Sequence, residues 1–133
     1  MNSFKAKITD IKTSGSFSLV SLVANGLKLK SIVIDTPETA DYLQLNNEVN
    51  VIFKELEASI AIQADLPISL QNQISGTIKD IQKGQLLARI TLQTKLGPIT
   101  SVITSGSADK LELTVGREVY ALIKTNELML SKE

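Results

Sequence analysis

The stretch Phe17-Ser18-Leu19-Val20-Ser21-Leu22-Val23-Ala24-Asn25-Gly26-Leu27-Lys28-Leu29-Lys30 decides the fold. Phe17, Leu19, Ser21 and Val23 fall on one side of an extended chain, and Ser18, Val20 and Leu22 on the other. That period of two suits a strand and no helix. Asn25-Gly26 then supplies two residues that tolerate positive φ, the requirement of a type I′ hairpin. Leu27-Lys28-Leu29-Lys30 resumes the alternation before the apolar run Ile32-Val33-Ile34.

Moving outward, the pattern occurs twice. At an offset of 70 residues Ile8-Thr9-Asp10-Ile11 falls on Ile78-Lys79-Asp80-Ile81, and Ser31-Ile32-Val33 on Ser101-Val102-Ile103. Leu43 meets Leu113, Glu48-Val49 meets Glu118-Val119, Lys54 meets Lys124, and Glu57 meets Glu127. A repeat without a gap implies two copies of one structural unit. The copies span 1–63 and 71–133, with 64–70 as the linker, where Pro67 favours an extended connection. Within copy two, Leu86, Ala88, Ile90 and Leu92 alternate with Leu87, Arg89 and Thr91, and Val119, Ala121 and Ile123 share one face.

Each copy carries one short helical signal between its third and fourth strands. Thr36-Pro37-Glu38 reads as N-cap, first-turn proline and first-turn acid. In copy two Ser105 to Leu113 takes that place, with Ser105 or Ser107 as the cap and Gly116 ending the following turn. Five short strands and one short helix in some 60 residues predict an all-β fold with short helices: two tandem OB-like, five-stranded Greek-key barrels. A unit of that size is marginal alone, so the copies are expected to pair and further oligomerisation is plausible.

Composition removes several function classes. Fourteen Lys and Arg balance fourteen Asp and Glu, so no general attraction to nucleic acid or anionic membrane is expected. Single-strand binding also asks for stacking aromatics in a basic groove, whereas Phe4, Phe17, Phe53, Tyr42 and Tyr120 are scattered. Cys and His are absent, which excludes disulfides, Cys/His metal sites and His-based catalysis. No covalent cofactor or bare metal ion is expected, and no enzymatic activity. Met1-Asn2-Ser3-Phe4-Lys5 lacks a signal-peptide pattern, and no apolar run would span a bilayer. The expectation is a soluble cytoplasmic protein.

Copy two also carries a resemblance. Its opening, Ser69-Leu70-Gln71-Asn72-Gln73-Ile74-Ser75-Gly76, is similar to the Ser-Ala-Arg-Asn-x-hydrophobic-x-Gly opening of the molybdate-binding Mop, or TOBE, family. Ile103-Thr104-Ser105-Gly106-Ser107 resembles the family's Ile-Thr-x-x-Ser segment. Gly116-Arg117-Glu118-Val119-Tyr120-Ala121-Leu122-Ile123-Lys124 resembles its Gly-x-Glu-Val-x-Ala-hydrophobic-hydrophobic-Lys ending. The whole chain is covered as a tandem, di-Mop pair. The resemblance implies molybdate or tungstate held as an oxyanion between subunits or repeats, in homo-oligomers such as trimers of paired units. It implies a ligand set of Ser69, Asn72, Thr104, Ser107 and Lys124, with Thr125 beside them. Gln71 stands where the family has arginine, and offers an amide in place of a charged fork. Copy one keeps only Asn2 and Lys54, with Ile34 and Pro37 at the positions of Thr104 and Ser107. It reads as a partner with a degenerate site that lends Lys54.

From chemistry alone, Thr104, Ser105 and Ser107 cluster where a strand becomes a helix, offering N–H and hydroxyl donors to an anion. The expected function is binding of molybdate or tungstate for storage, homeostasis or delivery. The alternative is an OB-like assembly module that has lost its ligand.

Overall fold

The computed structural model describes residues 1–133 as ten strands, one short helix and two 3₁₀ turns. In copy one β1 is Asn2–Ser14, β2 Phe17–Ala24, β3 Leu27–Val33, β4 Glu48–Phe53 and β5 Ser59–Ala61. In copy two β6 is Asn72–Lys83, β7 Leu87–Thr94, β8 Gly97–Thr104, β9 Glu118–Ile123 and β10 Met129–Lys132, with helix α1 at Ser105–Lys110. The chain is all-β with short helical turns, as the alternation predicts.

The period of two is realised directly. Ser18, Val20, Leu22 and Ala24 of β2 are buried while their alternates are exposed or half-buried. Asn25 and Gly26 take φ of 45° and 82°, the positive pair that the hairpin requires. The matching tetrapeptides at Ile8 and Ile78 prove to be bulges. Pairing of β1 with β2 slips between Ile8 and Asp10, and that of β6 with β7 between Ile78 and Asp80. A bulge bends and further twists its strand, so this part of the repeat encodes the curvature of both barrels. Gly76 answers to close packing: a Cβ there would lie 2.9 Å from Thr94 Cγ2 and 3.0 Å from the carbonyl of Gln93.

Two differences from expectation are local. Thr36-Pro37-Glu38 forms a single hydrogen-bonded turn, with Ala40 N donating to Thr36 O at 2.9 Å, and propagates no helix. In copy two the cap of α1 is Thr104, neither Ser105 nor Ser107; its Oγ1 accepts from Ser107 N.

The larger finding concerns the copies. The sheets run β10-β4-β1-β2-β3 and β5-β9-β6-β7-β8. Each barrel thus takes one edge strand from the other copy: β5 pairs with β9, and β10 with β4. The spans 1–63 and 71–133 describe the repeat in sequence, whereas each sheet needs residues of both. One apolar cluster of 23 buried residues runs through the two barrels, with Phe53, Leu22, Ile78 and Leu128 among its members. Phe4 and Phe53 meet edge to face at 6.3 Å inside copy one.

Polar side chains lock the exchange. Ser31, fully buried in β3, donates to Leu128 O at 2.6 Å. Its counterpart Ser101 in β8 donates to Ala58 O. Each hydroxyl thereby ties one copy to the chain entering the other copy's exchanged strand.

Candidate functional site

Strand exchange decides which of the sequence-predicted residues meet. The 3₁₀ turn Thr125–Glu127, which follows Lys124, packs on β3 of copy one. Its counterpart Glu55–Glu57, after Lys54, packs on β8 of copy two. The candidate residues fall into two groups.

The first group is Ser69, Gln71, Asn72, Lys124 and Thr125. Asn72 opens β6 and pairs with Ile123, the last residue of β9, which brings Lys124 beside it. Lys124 and Gln71 are exposed, as is Ser69. Asn72 is fully buried. Its Nδ2 donates to Lys30 O at 2.9 Å, and its Oδ1 accepts from Lys30 N at 2.8 Å. The repeat duplicates this clamp: Asn2 Nδ2 donates to Thr100 O at 2.8 Å, and Thr100 N to Asn2 Oδ1 at 2.8 Å. The carbonyl and one of the two N–H donors of Asn72 are thus committed to the backbone of the other copy.

The second group is Thr104, Ser105 and Ser107; Lys54 follows Phe53, which pairs with Asn2. Thr104 Oγ1 donates to Ser107 Oγ at 2.9 Å and accepts from Ser107 N at 3.1 Å. Both side chains face solvent. Ser105 turns the other way: it is buried and donates to Gly84 O at 2.7 Å. Glu55, next to Lys54, lies 3.7 Å from Arg89 and 3.3 Å from the Met1 amino group. Its own backbone N–H, and then that amino group, hold its carboxyl below the ordinary range.

The two groups stand apart. Asn72 begins β6 and Lys83 ends it, paired with Ala88; Thr104 pairs with Leu87 at that far end. No single point in the chain is lined by all nine candidates. Sequence reading missed the serine pair Ser31 and Ser101, for which the signal was available: a hydroxyl at one position of both apolar β-runs.

Two acids of the 3₁₀ turns, Glu57 and Glu127, meet. Burial, and then the hydrogen bond and charge of Glu57, hold the Glu127 carboxyl above its ordinary range, with Lys124 partly offsetting them. A carboxyl whose folded pKa is raised favours folding when protonated and opposes it once ionised. Stability therefore declines as pH rises from about 4 through the raised value, and the penalty is constant above it. Glu127→Gln is expected to raise the melting temperature at pH 7 by roughly 1–3 °C. Thermal melts between pH 4 and 8 test this; a gain that does not shrink toward pH 4 refutes it.

Comparison with known proteins agrees with this architecture. The TOBE domain model matches residues 68–130. Molybdenum-pterin-binding protein 1 of Clostridium pasteurianum is 33% identical over 66 residues, covering 49% of this chain and 97% of that protein. The molybdenum transport protein ModE of Azotobacter vinelandii is 39% identical over 67 residues, 49% of this chain, which spans only 24% of ModE. The cytoplasmic molybdate-binding protein ModG, solved with molybdate bound, is 29% identical with a TM-score of 0.88, covering 99% of this chain and 96% of that one.

Fold and relatives together define a protein built from two OB-like barrels. The chain belongs to the TOBE, or Mop, family in its tandem form. No helix is long and apolar enough to cross a membrane.

Proposed function

We propose that the chain binds molybdate or tungstate as the intact oxyanion, in the cytoplasm, for storage, homeostasis or delivery. The observation that carries this reading is the near-complete match to ModG, a protein solved with molybdate bound. The candidate donors fit a tetrahedral dianion: Thr104 and Ser107 present exposed hydroxyls, and Lys54 and Lys124 are exposed ammonium groups outside every ion pair of the chain. Because the hydroxyl pair and the Ser69–Lys124 group lie at different ends of β6, a full shell draws on more than one segment. We assign the completion to neighbouring chains, in a homo-oligomer such as a trimer of tandem repeats.

Titration calorimetry with molybdate, tungstate and sulfate, on protein of measured oligomeric mass, tests the proposal. Micromolar binding of the first two with sulfate ignored is expected. A charge-assisted hydrogen bond contributes about 1.5–3 kcal/mol, so Lys124→Ala should weaken molybdate roughly tenfold or more. Absence of heat with molybdate at millimolar concentration overturns the reading.

One observation favours a second reading, a ligand-free assembly module. Copy one presents Ile34, 75% exposed, and Pro37 at the positions equivalent to Thr104 and Ser107, and neither side chain donates a hydrogen bond. An oligomer whose melting temperature ignores molybdate is its signature.

A further inference from the structure

Both candidate groups of copy two have counterparts in copy one at the offset of 70 residues, and both have changed in the same direction. Thr104 and Ser107 become Ile34 and Pro37. Gln71 and Asn126, two exposed amides, become Met1 and Leu56. Ile34 is 75% exposed, and Met1 and Leu56 are each 71% exposed, so none of the three has moved into the core. Of the candidate donors copy one keeps Lys54 and Asn2, and Asn2 is committed to Thr100.

The changed residues make two apolar patches. Ile34 follows Val33, which pairs with Ser18, and so comes opposite Phe17, as Thr104 is paired with Leu87. Phe17 is itself half exposed. Leu19 and Ile32, half-buried and paired with each other, continue this patch along the two strands. The second patch is built on the turn Glu55–Glu57, which contains Leu56; the Met1 amino group lies 3.3 Å from Glu55. Clustered exposed apolar side chains mark contact surfaces. The patches stand at opposite ends of β1, where Asn2 pairs with Phe53 and Ser14 with Phe17, so they cannot cover one another within one chain. Between chains they can, as a head-to-tail contact of the kind that closes rings.

We propose that the occupant of each patch is the other patch of a second copy of this chain: Phe17 and Ile34 of one chain pack on Leu56 and Met1 of the next. This dry contact takes the place at which copy two completes an oxyanion shell, and each chain therefore holds one oxyanion where the repeat has room for two. The inference rests on the reading that neighbouring chains complete the shell of copy two.

Sedimentation velocity of the full chain without molybdate tests the contact. The wild type should sediment as an oligomer. Ile34→Glu and Leu56→Lys should each weaken association at least tenfold, with unchanged circular dichroism because both side chains are exposed. The double variant Ile34→Glu/Leu56→Lys sets opposite charges across the contact and should recover association at low salt. A monomeric wild type overturns the proposal, as does either single variant that keeps the wild-type mass, or a double variant no better associated than the singles. Molybdate titration of the wild type should saturate at one anion per chain, and saturation at two also overturns it. Absence of molybdate heat removes the oxyanion reading alone, while the sedimentation results still decide the contact.

Discussion

Asn72→Ala is expected to lower the melting temperature by about 10 °C. Asn72 is fully buried and satisfies both the N–H and the C=O of Lys30. Alanine removes both partners at once. A buried backbone group left without a partner costs about 1–3 kcal/mol, so the pair costs roughly 2–6 kcal/mol. At this chain length each kcal/mol shifts the midpoint by about 3–5 °C. Asn2→Ala should have a comparable effect, because it breaks the equivalent clamp on Thr100. Differential scanning calorimetry of the two variants measures both. A shift below about 2 °C for Asn72→Ala would mean that water replaces the amide and that the clamp contributes little. The same variant bears on function. If Asn72 acts through the clamp, lost molybdate affinity should track lost stability and return under conditions that restore the fold.

The second large effect is expected on dividing the chain. Residues 64–133 expressed alone should not fold as a monomer. The outer edge of β9 loses Ser59–Ala61, which pair with Leu122, Ala121 and Tyr120. At the other end Met129–Lys132 lose their β4 partners Val49 to Ile52. Ser101 also loses its acceptor at Ala58. A unit of about 60 residues has little stability in reserve against such losses. Two such fragments can repair them by exchanging β10 strands, so a dimer should appear at high concentration, with a melting temperature that rises with protein concentration. Light scattering and concentration-dependent melts decide the matter. A folded monomer with a concentration-independent midpoint would show that each copy closes its own barrel and that the exchange is not needed for stability.

Much of the fold could be read from residues. Alternation along Phe17–Ala24 and the Asn25-Gly26 pair are local signals, and the backbone has little freedom to contradict them. The offset that superposes Ile8 on Ile78 showed that whatever copy one does, copy two repeats. The candidate site was less legible. Thr104 and Ser107 do stand together, and Lys124 does follow a strand end beside Asn72. Yet Ser105 is buried against the turn at Gly84, and Asn72 is bound to Lys30. Side-chain direction at such positions depends on what lies across the gap, and the repeat carries no information about that.

The sequence by itself determined the strands, their faces, the hairpin at Asn25-Gly26, the twofold repeat and the family, since each rests on periodicity or on residues close in the chain. Tertiary structure alone decided where β5 and β10 go. Strands of three and four residues have too few side chains to choose a sheet by their own pattern. Two equivalent edges were open to each of them, that of their own copy and that of the other. The choice fell to the buried contacts Ser31–Leu128 and Ser101–Ala58 and to the clamps Asn72–Lys30 and Asn2–Thr100, all of which span 40 residues or more and none of which exists until the two copies have met.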